Sequence, residues 1–423
     1  MPDATPAPAT LFVTDEPFLP PGNGSSQVYL SVAEEYRRQG SRIFCLSFYK
    51  DAGKALSPAS AAAYAEISCG HLMLPGWNNG GSPLGRAGQA VREAHRWISG
   101  DVFVGHPFLQ SRRPAMARLV ADWIRQQGIA HIYCHKIHAL LLMQPILALL
   151  PGIRISLDLH DDFVRKALDY DMAYGDLFRE LSPREILRDH GAAWLRHRFR
   201  RTNPDRSRAA ELAALSRCDR ILAASSEEAS RYAAFPQLVG KVRHQPWRYT
   251  VPDAAETPPS AAEPYDIGFI GSEDVMNLDA VRYLRDDILP LLRGQMPGLR
   301  VLLAGTLSQK VHSLVGHVSD IHVKPRLEQV GHFYRDVAVP VVPLRYGTGV
   351  SIKVMEALAF GKPMVSTRIG IRGLPPSMRQ GIVVADTAQD FAAAVVQQLL
   401  RRGGQAAHAG PSTTAQPTSM ARH

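Results

Sequence analysis

Cysteine is scarce in this 423-residue chain, and Cys45, Cys69, Cys134 and Cys218 have neither the paired spacing of a zinc site nor the density of a disulfide framework. Each stands in mostly apolar surroundings, which predicts reduced core thiols and a cytoplasmic location. Long hydrophobic runs are missing too. The longest, 139–150, is broken by Gln144 and Pro145 and falls short of the ~20 residues that cross a bilayer. The opening MPDATPAPAT has no basic residue and no apolar stretch before Leu11, which predicts a flexible leader over 1–10 and not a secretory signal. No segment repeats with the period of a solenoid.

Charge of one sign is in excess: the formal net charge is +9, with arginine dense from Arg179 to Arg208 through Arg184, Arg188, Arg196, Arg198, Arg200, Arg201 and Arg206. That cluster has no interleaved aromatics and no zinc-finger or basic-zipper spacing, which argues against a nucleic-acid partner. Its default reading is a solvated helical face. The second reading is peripheral contact with an anionic membrane, where each well-placed cation contributes roughly 1 kcal/mol.

What the chain does have is length for two cores, 45% hydrophobic residues, and strand-loop-helix-strand order in both halves. The expectation is an α/β protein of two Rossmann-like, doubly wound domains. Leu11 to Thr14 reads as a strand, Gln27 to Gln39 as a helix ended by Gly40, and Arg42 to Phe48 as the next strand. Gly22 and Gly24 then fall at the carboxyl end of the first strand, where open α/β sheets bind ligands. Ile129 to Tyr133 and Arg154 to Leu159 read as strands ending in His135 and in the run Asp158, His160, Asp161, Asp162. Glu211 to Cys218 predicts a helix, 219–224 a strand, and Ser225 or Ser226 the cap of the next helix, a unit whose role reads as structural. Residues 250–264, TVPDAAETPPSAAEP, are poor in large apolar side chains and predict the interdomain linker. The domains are then 11–249 and 265–402, the last helix spans Gln389 to Arg401, and 403–423 predicts a disordered tail.

The stretch VVPLRYGTGVSIKVMEALAFGKPMVSTRIGIRGL, Val341 to Leu374, carries the strongest functional signal. A buried strand from Val339 to Leu344 gives way to a glycine loop, a helix begins after Ser351, and Gly361-Lys362-Pro363 ends it before the strand 364–366. Helix N-termini expose unpaired N–H groups, and glycine lets a phosphate reach them. The segment from Gly349 to Ile352 therefore predicts a diphosphate cradle, with Arg345 and Lys353 as nearby cations. Glu356, on a face away from the apolar stripe, could accept hydrogen bonds from both ribose hydroxyls.

These motifs resemble the nucleotide-sugar site of GT-B glycosyltransferases, specifically retaining glycosyltransferase family 4, over about residues 11 to 402. The family pattern is a Glu, seven residues and a second Glu. Glu356 matches the second, and Thr348 stands where the first would touch the donor sugar. The resemblance implies two domains facing a cleft and a donor site of Gly22, Gly24, Gly271, Arg345, Gly347, Thr348, Gly349, Val350, Ser351, Lys353 and Glu356. Catalytic roles fall to Glu356 and to His135 or His160 as the sugar-orienting histidine; no metal or cofactor is implied. The loop 272–277, SEDVMN, lacks the basic pair that many family members keep there, which shifts phosphate neutralisation to Arg345 and Lys353. The implied activity is transfer of a sugar from a nucleotide-diphosphate donor to a glycan, lipid-linked or small-molecule acceptor with retention, in polysaccharide biosynthesis. Alternatives are a nucleotide-sugar epimerase and a non-catalytic nucleotide- or glycan-binding protein. The loop from Leu74 to Gly88 is the candidate acceptor side.

Overall fold

The structure is a computed structural model that describes residues 7–21, 24–49, 57–75, 99–103, 114–199, 202–247, 264–307, 320–324, 327 and 330–408. Gly22, the linker 250–263 and most of the loop Leu74 to Gly88 lie outside these residues, as do the first six residues of the leader and 409–423 of the tail. The chain divides into two compact units, one of 1–252, 344–359 and 369–380, the other of 253–343, 360–368 and 381–423.

The first unit is built on a seven-stranded parallel sheet of β1 (Ala9–Thr14), β2 (Arg42–Tyr49), β3 (Gly70–Pro75), β4 (His131–His135), β5 (Arg154–Leu159), β6 (Arg220–Ala223) and β7 (Val242–His244), in the order β3-β2-β1-β4-β5-β6-β7. β1 begins at Ala9, inside the expected leader, and all its residues are buried. Such a strand must be apolar on both faces because helices cover each side of a parallel sheet. Leu11 and Val13 join a cluster with Val120, Ile132, Leu140 and Ile221, while Phe12 joins Tyr29, Tyr133 and Leu222. The order reverses direction between β1 and β4. Their carboxyl ends therefore flank the crevice where a doubly wound sheet takes its ligand.

The second unit has six parallel strands, β8 (Tyr265–Ile270), β9 (Val301–Ala304), β10 (Ile321–Lys324), β11 (Val337–Val342), β12 (Met364–Ser366) and β13 (Ile382–Val384), ordered β10-β9-β8-β11-β12-β13. Asp274 caps the Val275–Tyr283 helix by accepting from the Met276 N–H, 2.9 Å away. The final helix, Ala388–His408, continues through Gly403 and Gly404, so the glycine pair does not end it and the tail cannot begin at 403 as expected. A helix already seated by Phe391 and Val395, both fully buried, tolerates the roughly 1 kcal/mol that each glycine costs.

Three cysteines are buried as expected, but Cys69 is exposed. It follows the helix-terminating Ser68 and enters an edge strand, where its apolar sequence neighbours do not cover it.

Gly305 has φ +96°, and a Cβ there would lie 2.3 Å from the Gly271 carbonyl oxygen. Gly305→Ala should cost about 2 kcal/mol or more in thermal unfolding. Gly298→Ala, at φ +82° but with open space around it, should cost only about 1 kcal/mol. An equal or smaller loss at 305 would refute the role of the close backbone approach.

Candidate functional site

Parallel pairing of β4 with β5 sets His135 opposite Asp158. His160 follows two residues later, on the same side of the chain as Asp158 by the strand's alternation. Asp158 Oδ2 consequently lies 3.3 Å from His135 Nδ1 and 3.2 Å from His160 Nε2. The Trp247 indole N–H donates to the other carboxylate oxygen at 3.4 Å. All three members of this His-Asp-His set are buried. Burial opposes ionisation of Asp158, but His160 and His135 outweigh it and hold the carboxyl well below the usual range. Burial pushes the His135 imidazole below its ordinary value despite the Asp158 partner. Tyr29 packs on His135 at 4.3 Å between ring centroids, and Trp247 on His160 at 4.6 Å. His135 Nε2 is buried with no hydrogen-bond partner among the described residues. The three ligand atoms of His135, Asp158 and His160 lie within 4.8 Å of one another, so the set has the chemistry of a divalent-metal site as well as that of a charge-fixed histidine pair.

The turn after β5 is equally constrained. Asp162 caps the Phe163–Glu180 helix through the Arg165 N–H at 3.0 Å, and it pairs with Arg208 at 2.7 Å and Arg231 at 2.9 Å. Arg208, read from sequence as part of a solvated face, is instead largely buried between Asp162 and Glu211. Asp161 pairs with Lys166 at 2.6 Å; that ammonium outweighs burial and keeps the carboxyl low.

Onto this turn comes the glycine loop. Gly349 has φ +69°, and a Cβ would lie 2.3 Å from the His160 carbonyl oxygen, so only glycine lets the loop approach β5's end. Its N–H donates to Glu228 Oε1 at 3.0 Å, the Thr348 hydroxyl to Asp161 at 3.0 Å, and the Gly347 N–H to Asp169 at 3.0 Å. Arg372 donates to the Thr348 carbonyl at 2.7 Å. The loop amides thus face carboxylates, the same anionic chemistry that a diphosphate would offer them. Gly24 is the first residue of the Gly24–Arg38 helix, and a Cβ there would lie 2.3 Å from Ile352, the first residue of the Ile352–Ala359 helix. Two helix N-termini are therefore adjacent.

Of the residues singled out from sequence, His135, His160, Gly24, Gly347, Thr348 and Gly349 are assembled in the first unit. Val350, Ser351, Lys353 and Glu356 follow on the same loop and helix. Glu356 is buried, as are Val354, Met355 and Ala357, so the side of the helix that carries it is covered as well. Arg345 is exposed and Lys353 half-buried. Gly271 belongs to the second unit, where a Cβ would press on Asn277 and Leu307 at 3.0 Å; close packing explains the glycine.

Sequence reasoning missed Lys136 and Glu228. Lys136 follows His135 with a left-handed φ of 66°, a strained conformation for a residue with a side chain, and its ammonium lies 3.8 Å from Asp15 across the β1–β4 crevice. Glu228 occupies the third position after the cap Ser225, where a capping acid is expected, so its pattern looked purely structural. Its Oε1 instead accepts from Gly349 and from the Asp162 N–H at 3.3 Å. Burial, reinforced by the Asp161 charge, pushes its carboxyl up to about 7.

A carboxyl raised in this way favours the folded state while protonated, and that contribution is lost as pH rises through about 7. Thermal stability should therefore fall between about pH 5 and about pH 8, by an amount on the order of 1–3 kcal/mol from this group. Glu228→Gln keeps the acceptor oxygen and should reduce that slope, leaving the share of the buried Glu211, whose carboxyl is likewise raised to about 7; an unchanged slope would refute the assignment.

Residues 264–401 match the family described as Glycosyl transferases group 1. No curated protein sequence is significantly similar to the chain. Among solved structures, sucrose-phosphate synthase from Thermosynechococcus elongatus is similar at 14% identity and a TM-score of 0.58, over 95% of this chain and 90% of its own. A glycosyltransferase from Rickettsia africae gives 10% and 0.55, over 95% and 90%. Anabaena Alr3699/HepE, solved with UDP and glucose, gives 11% and 0.55, over 94% and 98%. At such identities the likeness speaks for architecture, and with the two parallel sheets it establishes the GT-B fold of two Rossmann-like domains.

Proposed function

We propose that this protein is a retaining glycosyltransferase of the family 4 kind, moving a sugar from a nucleotide-diphosphate sugar to a glycan, lipid-linked or small-molecule acceptor. The observation that carries the reading is the glycine loop seated on the end of β5, with Gly349 against the His160 carbonyl and the loop running directly into the helix that bears Glu356. The match of 264–401 to a glycosyltransferase family covers that segment and supports it.

In this reading the amides from Gly349 to Ile352 hold the diphosphate, with Arg345 and Lys353 balancing its charge. Glu356 accepts from the ribose hydroxyls, and Gly24 brings the first helix N-terminus towards the same anion. His160 orients the sugar, and Asp158 fixes its ring together with that of His135. Such a transfer asks little covalent chemistry of the protein; positioning and electrostatic stabilisation of the leaving diphosphate carry it. No metal is required. The linker at 250–264 separates the two domains, and the location is cytoplasmic with peripheral contact at the inner membrane face. Among the described residues no helix is long and apolar enough to cross a membrane.

One observation favours a second reading, binding without transfer: Gly347, Thr348 and Gly349 already spend donors on Asp169, Asp161 and Glu228. Thermal-shift titration with UDP, GDP, ADP and their sugar conjugates distinguishes the two when paired with a transfer assay. UDP comes first, because Alr3699/HepE binds it. A ligand at ~100 times its dissociation constant adds about 2.7 kcal/mol. Glu356→Ala should weaken binding of the active nucleotide by more than ~10-fold, about 1.4 kcal/mol. Near-normal affinity in that variant would overturn the donor-site assignment, and a shift without turnover would favour the second reading.

A further inference from the structure

Four of the described large apolar side chains that face solvent fall within 187–199: Leu187 at 80% exposure, Phe199 at 59%, Leu195 at 48% and Trp194 at 37%. They lie on a continuous helical segment made of Pro183–Glu185, Ile186–His190 and Gly191–Phe199, with a π-helical turn in its middle. One side of this segment is already occupied. His190 and His197 turn inward onto Phe178 of the Phe163–Glu180 helix at 6.3 and 5.6 Å, and His197 also meets Tyr174 at 6.4 Å. The outer side presents Leu187, Leu195 and Phe199 together with the exposed Arg184, Arg188 and Arg198. Arg198 stacks its guanidinium 5.9 Å from the Phe199 ring.

Apolar side chains interleaved with arginine on one face are unfavourable against bulk water and favourable at an interface with an apolar interior and an anionic rim. From Arg179 to Arg201 the sequence has seven arginines against three acids, Glu180, Glu185 and Asp189. Of these acids, Glu185 is engaged locally in a capping box with Ser182. The net charge selects among partners: a second copy of the same face would bring arginine against arginine, whereas an anionic lipid surface complements it.

The geometry points to 183–199 as the element that docks this protein on an anionic bilayer, with Leu187, Leu195 and Phe199 entering the headgroup boundary and Arg184, Arg188 and Arg198 pairing with lipid phosphates. This deepens the peripheral placement in the proposed function but does not depend on the donor site.

Co-sedimentation of the full chain with vesicles tests it. The protein should pellet with phosphatidylcholine-phosphatidylglycerol vesicles, remain in solution with phosphatidylcholine alone, and be released by salt. Arg184→Gln with Arg198→Gln, surface changes that leave the packed face untouched, should weaken binding about 25-fold, or about five-fold per cation. Leu187→Ser with Leu195→Ser and Phe199→Ser should weaken it at least as much. Thermal unfolding and nucleotide-induced shifts should be unchanged in both variants, which separates lost docking from lost folding and from failure of the donor reading. Equal pelleting of the parent and the arginine variant, equal binding to both vesicle types, or a dimer that the apolar substitutions dissociate would each overturn the proposal.

Discussion

The turn that follows β5 is where the first unit is held together by charge. Asp162 is wholly withdrawn from water, and its two oxygens accept from a helix N-terminus and from guanidinium groups on two other helices, at Arg208 and Arg231. A buried carboxylate is tolerable only when so fully paired, and removing one partner of such a set typically costs about 3–5 kcal/mol. The pairing locks the Phe163–Glu180, Pro204–Leu215 and Ser226–Ala233 helices to one point. His160 and Asp161 are presented from a turn with little freedom to move.

Rigidity there has a functional meaning. His135 takes its orientation from a hydrogen bond to Asp158, His160 lies against the same carboxylate, and Asp158 inherits its position from sheet pairing, so the two imidazoles arrive together. The glycine loop closes the arrangement from the other side, its amides facing Asp169, Asp161 and Glu228. In the proposed reading an anionic donor entering this place would meet groups already arranged around negative charge, and would have to compete with the carboxylates that hold them. Glu228, whose carboxyl burial raises to about 7, is readily neutralised near physiological pH.

Much of the architecture was legible because parallel sheets announce themselves. Apolar runs such as Leu11 to Val13 and Val339 to Leu344 lack the alternation of a half-exposed strand, and a glycine loop follows each. The glycine loop and the helix behind it were legible for a local reason, since a left-handed φ and a close backbone approach leave few residue choices at Gly349. Glu228 was not legible. A carboxylate three residues after a cap serine has a sufficient local explanation, and its second use depends on a loop more than a hundred residues away. Arg208 was misread for the same reason, because an arginine among arginines looks solvated until Asp162 and Glu211 are brought beside it.

Sequence alone determined two parallel-sheet domains, the glycine loop with its following helix, and histidines at the carboxyl ends of strands, because each depends on residues adjacent in the chain. Tertiary structure decided which groups meet: His135 with His160 through Asp158, Gly349 with Glu228, and the outward turn of Leu187, Leu195 and Phe199. Strand register and the packing of one helix face against another determine these meetings. Both are set by burial summed over the whole unit, which no local pattern of residues records.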